Sequence, residues 1–101
     1  MIVYNITIKI LPVIETEWLL WQKQEHIPEI MASGQFYEYK FYRLLEQPET
    51  DGITYVVQYF ASSMAHYNKY IDEFAPALRE KALAKWGHQF IAFRTIMEVV
   101  N

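Results

Sequence analysis

Residues 18–34 read WLLWQKQEHIPEIMASG and run directly into an aromatic stretch that begins at Phe36. At about 100° per residue, Leu19, Leu20, Ile27, Ile30 and Met31 fall on one side, with the stem of Lys23 beside them. Such a stripe faces a core, so the stretch is read as an amphipathic helix. Trp18, Trp21, Gln22 and Glu25 fall on the opposite side. Two tryptophans away from the core imply a second covered surface, and Trp18 and Trp21 are read as an interface. Pro28 has no amide hydrogen and clashes one turn back, which places a kink or restart near His26 and Ile27. Gly34 suits the position that closes the helix.

On the N-terminal side of this helix, Ile2, Tyr4, Ile6, Ile8 and Ile10 alternate with Val3, Asn5, Thr7, Lys9 and Leu11. That is a strand with one apolar face for helices and one mixed face. Pro12 ends it, and Glu15 and Glu17 fall in the first turn of the helix, where its dipole favours them. On the C-terminal side, FYEYKFYRLL and Ile53 to Ala61 alternate in the same way. The turn QPETDG at 47–52 joins them as a hairpin.

Ser62 or Ser63 can cap a second helix, along which Tyr67, Tyr70, Ile71 and Phe74 repeat at helical spacing. Pro76 opens a further helix that aligns Leu78, Ala82 and Trp86 and closes at Gly87. His88 to Val100 is read as a thirteen-residue strand, longer than most, which hints at a partner beyond its own sheet. The order β-α-β-β-α-β is the ferredoxin-like split βαβ arrangement of an α+β fold. Residues 1–101 are read as a single domain, with helices on one face of a four-stranded antiparallel sheet.

Composition narrows the function classes. The chain is 52% hydrophobic and 17% aromatic over 101 residues, more apolar surface than so short a chain can bury alone. A homodimer closed through the mixed faces of two sheets is the expected remedy. A net charge of −3 offers no basic patch for nucleic acid. The absence of cysteine removes thiol nucleophiles and thiolate metal sites and fits a reducing cytoplasm. The N-terminal run alternates and carries no basic leader, and no segment approaches the ~18 apolar residues of a membrane span. Three scattered histidines, His66 and His88 among them, make no metal site, and no cofactor is expected.

The pattern W-x-x-W-x(4)-H-I-P-E-I-M-A-S-G-x-F from Trp18 to Phe36, with MIVYN at the start and FRTIMEVV near the end, resembles a small bacterial family of domains of unknown function. That family is similar to the dimeric α/β-barrel superfamily. The superfamily also holds antibiotic-biosynthesis monooxygenases, EthD-like proteins, haem-degrading enzymes and muconolactone isomerases. Trp21, His26 and Pro28 resemble an element of the EthD-like branch. The resemblance implies a fold and a dimer, but the superfamily hosts many chemistries. The haem-degrading branch uses an Asn on the first strand with a Trp and a His from the second half. Asn5 matches in place, but His66 and Trp86 stand in reversed order, so haem degradation is not expected.

Among candidate site residues, His26 has an intrinsic pKa suited to a general base, although a helix-end histidine bonded to nearby backbone explains it more simply. Asn5, Thr7, Lys9, Gln58, Arg94 and Glu98 are grouped as polar residues of the dimer interior. There they orient a ligand or pair with one another. The leading reading is a small homodimer that binds a small molecule between its sheets. A second is a cofactor-independent monooxygenase- or isomerase-like enzyme acting on a small aromatic or carbonyl compound. In it Asn5 and Arg94 hold the substrate oxygen and His26 moves a proton. The enzyme requires a cavity of ~300 Å³ or more. A third reading, a protein-interaction module on the Trp18/Trp21 face, requires both indoles to be exposed.

Overall fold

The computed structural model describes residues 1–101. The elements run β1 (Ile2–Ile10), α1 (Glu15–Trp21), a π-helical segment (Gln22–His26), α2 (Ile27–Ala32), β2 (Glu38–Arg43), β3 (Ile53–Ala61), α3 (Met64–Glu73), α4 (Ala75–Trp86) and β4 (Phe90–Glu98). The four strands form one antiparallel sheet in the order β2-β3-β1-β4. This is the expected split βαβ topology. No helix is long and apolar enough to cross a membrane.

Strand register assigns every side chain to a face, because successive residues point to opposite sides. Ile6 stands opposite Val57 on β3 and Arg94 on β4, whereas Asn5 stands opposite Gln58 and Thr95. The even residues of β1 therefore share the helix-covered face with Tyr55, Val57 and Tyr59. There Tyr4 packs against Phe36, Tyr59, Tyr67 and Tyr70. The odd residues, with Val56, Gln58 and Phe60, form the open face. Phe93 and Ile91 extend that face along β4 and are strongly exposed.

Two strands differ from the expectation. β4 covers nine residues where thirteen were expected, because His88 and Gln89 form a tight turn with Gly87 before the ladder begins and Val99 and Val100 lie beyond its end. β2 starts at Glu38, so Phe36 precedes the ladder and turns under the helices, where it is buried.

The larger correction concerns the first helix. Trp18 is 1% exposed and Trp21 is 8% exposed, whereas Leu20 is 55% exposed. The tryptophans thus face the sheet, and neither is available as an interface in the protomer. The reason is the π turn. The amide of Ile27 donates to the carbonyl of Gln22, five residues back, so one extra residue enters the helical turn. At about 100° per residue, that insertion rotates everything after His26 by about one residue's angle. Trp18, Trp21, Gln22, His26, Ile27 and Ile30 then share one side. Pro28 supplies the cause, since it cannot donate to the preceding turn and crowds the carbonyl four residues earlier. The expected kink is present, and its consequence is a change of helical phase.

The remaining helices follow their sequence signals. Ser63 caps α3 by accepting from the amide of His66 at 3.4 Å. Gly87 ends α4 with φ +58°, a backbone conformation that glycine adopts without strain. Lys81 on α4 donates to Glu29 on α2 at 2.8 Å, tying the two helices together at the surface.

Candidate functional site

The π turn also shapes a cavity. Between the sheet (Ile6, Ile8, Val57, Tyr59), the first helix (Trp18, Trp21, Gln22, His26) and α4 (Arg79, Ala82, Trp86) lies a partly open space of about 40 Å³, lined at the β4 side by Phe90, Ala92 and Arg94. All three tryptophans of the chain line it. Gln22 and His26 are the first and last residues of the π segment. The extra residue is what brings both of them onto the sheet side.

Polar satisfaction inside this cavity is incomplete. Gln22 is 3% exposed and Trp86 is 5% exposed. The Gln22 Oε1 acceptor and the Trp86 Nε1 donor have no hydrogen-bond partner in the protein. Buried polar atoms are nearly always paired, because an unpaired one forfeits its hydration without return. Both residues line the same cavity, one with an acceptor and the other with a donor left over.

His26 lies flat against Trp21, with ring centroids 4.4 Å apart and planes 17° apart. Burial is the main reason its pKa falls to about 4; Lys81 and Arg94 push the same way, and Glu29 opposes them. At neutral pH the imidazole is uncharged and a weak base. Burial pushes the Tyr59 hydroxyl well above its ordinary pKa, so it stays protonated. Arg79 donates to the Tyr4 hydroxyl at 2.9 Å. Both Arg79 and Arg94 are exposed along part of their length and form the polar rim.

The residues grouped together in the sequence separate onto two faces. Arg94 and Glu98 stand opposite Ile6 and Ile2, on the helix-covered side. Asn5, Thr7, Lys9 and Gln58 lie on the open side. There Asn5 Nδ2 donates to Thr7 Oγ1 at 3.3 Å, and Gln58 Nε2 donates to Asn5 Oδ1 at 3.2 Å. Lys9 pairs with Asp51 at 3.3 Å. Asn5 and Arg94 therefore do not converge, and no single ligand oxygen can be held by both. His26 and Arg94 do line one cavity. Gln22, Arg79 and Trp86 join them without having been singled out for a site. The signal for Gln22 was present in the sequence: two apolar stripes on one helix, out of phase by one residue, with a proline after the break.

Residues 1–100 match the family model described as Domain of unknown function (DUF4286). No curated protein matches the chain. Among solved structures, the chain is similar to an ethyl tert-butyl ether d (EthD) family protein from Bacillus halodurans, with TM-score 0.69 and 16% identity over 99% of this chain and 100% of that one. SnoaB, a cofactor-independent oxygenase from Streptomyces nogalater, superposes with TM-score 0.68 and 9% identity over 99% of this chain and 94% of its own. A dimeric ferredoxin-like protein from an uncultured marine organism gives TM-score 0.68 and 14% identity over 99% and 95% of the two chains. At these identities the likeness establishes the fold.

Proposed function

We propose that this chain, which belongs to the Domain of unknown function (DUF4286) family, is the protomer of a homodimer and binds a small molecule in the cavity between its first helix and its sheet. The observation that carries the reading is the unpartnered pair, Gln22 Oε1 and Trp86 Nε1, buried on one cavity wall system. A protein that needed only a filled core would place apolar groups there. The open sheet face suits the dimer contact. Asn5, Thr7 and Gln58 at its centre are already hydrogen-bonded to one another within the protomer, and Phe93, 61% exposed, heads an uncovered apolar strip. A neighbour of the same fold is described as dimeric.

Binding is favoured over catalysis because the cavity offers no effective base. Its volume of about 40 Å³ is far below the ~300 Å³ of a drug-sized ligand site, so only a few heavy atoms of a ligand enter it. A histidine whose pKa falls to about 4 accepts a proton at neutral pH far less readily than one near 7. The interaction-module reading has lost its two exposed indoles. A thermal-shift screen of small polar compounds tests the proposal. Hits should raise the melting temperature of the wild type and of Gln58→Leu, but not of Gln22→Leu. Hits abolished by Gln58→Leu and kept by Gln22→Leu would place the ligand on the open face and overturn it.

A further inference from the structure

The cavity is bordered by positive charge in a chain that is negative overall. The formal charge is −3, yet Arg79 and Arg94 border the cavity and no aspartate or glutamate lines it. The third arginine, Arg43, shows the contrast. It is held by Glu49 at 2.9 Å, whereas Arg79 donates to a neutral hydroxyl. Neither Arg79 nor Arg94 has a carboxylate within ion-pair distance. A guanidinium presents a planar fork of donors that fits a carboxylate edge. The rim is therefore built for an anion.

Deeper in, the requirement is different. Gln22 Oε1 needs a donor and Trp86 Nε1 needs an acceptor. One hydroxyl group answers both, since it donates one hydrogen and accepts through its oxygen. The 40 Å³ space accepts a head group of a few heavy atoms, given that a water needs roughly 10–15 Å³ by the same measure. The rest of the ligand stays at the arginine-bearing rim. Resting on the binding reading above, we infer that the ligand is a compact hydroxycarboxylate. Its hydroxyl enters between Gln22 and Trp86, and its carboxylate meets Arg94, with Arg79 beside it.

The three tryptophans on the cavity make their own fluorescence the readout. The full-length protein is titrated with lactate, with propionate (which lacks the hydroxyl) and with lactamide (which lacks the charge). Lactate should give a saturable change, and the other two should bind at least about tenfold more weakly, the cost of one charge-assisted or buried hydrogen bond. Arg94→Met should erase the advantage of lactate over lactamide. Gln22→Leu should erase its advantage over propionate. Circular dichroism of both variants establishes that they are folded, and Lys69→Gln, remote from the cavity, should bind like the wild type. Equal binding of lactate and lactamide, or of lactate and propionate, overturns the ligand class. If lactate gives no change while compounds from the thermal-shift screen still depend on Gln22, the class is wrong and the cavity reading stands. If no compound depends on Gln22, both fall.

Discussion

On the open face of the sheet, Asn5 donates to Thr7 and accepts from Gln58. On the covered face, Gln22 Oε1 and Trp86 Nε1 are more deeply buried and have no partner. Polar side chains on a face destined for another protein surface lose little if they are already satisfied among themselves, because closing the interface then strands none of them. Polar side chains left unsatisfied inside a core cost stability continuously unless something else occupies their hydrogen bonds. On the proposed reading, the open face is the contact surface and the covered face is the binding site.

The sharpest way to break this contrast is to truncate one aromatic on each side. Trp18 is sandwiched by Phe41 and Tyr55, at centroid distances of 6.0 and 5.2 Å, and Trp18→Ala should cost about 3–5 kcal/mol in urea denaturation. A cost below about 1 kcal/mol would mean the indole does not lie in the core. Acidification gives the next largest effect. The folded pKa of His26, about 4, lies below its ordinary 6.5, so between those values the unfolded chain binds the proton and the folded chain resists it. His26 thus withdraws stability as pH falls from about 6.5 to about 4, by about 3 kcal/mol in all. His26→Phe should flatten that part of the pH profile; an unchanged profile would show that the imidazole is not desolvated.

The open face is tested by Phe93→Glu, which should shift the monomer–dimer equilibrium toward monomer by at least tenfold, about 1.4 kcal/mol, in light scattering across a dilution series. A wild type that is monomeric at every concentration would remove the contact role. The smallest effect belongs to Gln22→Leu. Replacing an unpartnered buried acceptor with an apolar side chain of similar reach should leave stability unchanged or raise it by about 1 kcal/mol. A loss of 2 kcal/mol or more would mean the amide is already satisfied.

The strands, the hairpin and the helix limits near Ser63, Pro76 and Gly87 were legible because each rests on local chemistry: alternation, capping or backbone freedom. The facing of the first helix was not legible. A constant 3.6-residue period was carried through Pro28, and the period breaks there. The same error hid the site, since Gln22 and the two tryptophans were assigned to the outside. Arg94 was misplaced for a different reason. A strand's two faces are distinguished only by register, and register depends on which residue of β1 stands opposite. Once Ile6 and Arg94 are paired, the arginine belongs with His26 and not with Asn5. The burial of Trp86 was partly legible from its alignment with Ala82, but its unpaired indole nitrogen depends on three elements meeting.

The division between the faces is tested most directly by nuclear magnetic resonance of the nitrogen-15-labelled protein during titration with lactate. The expected result is movement of the Trp21 and Trp86 indole signals and of the His26 and Ala92 amides, while Asn5, Thr7, Gln58 and Thr95 stay in place. Movement concentrated on Asn5, Thr7 and Gln58, with the indole signals unchanged, would contradict it.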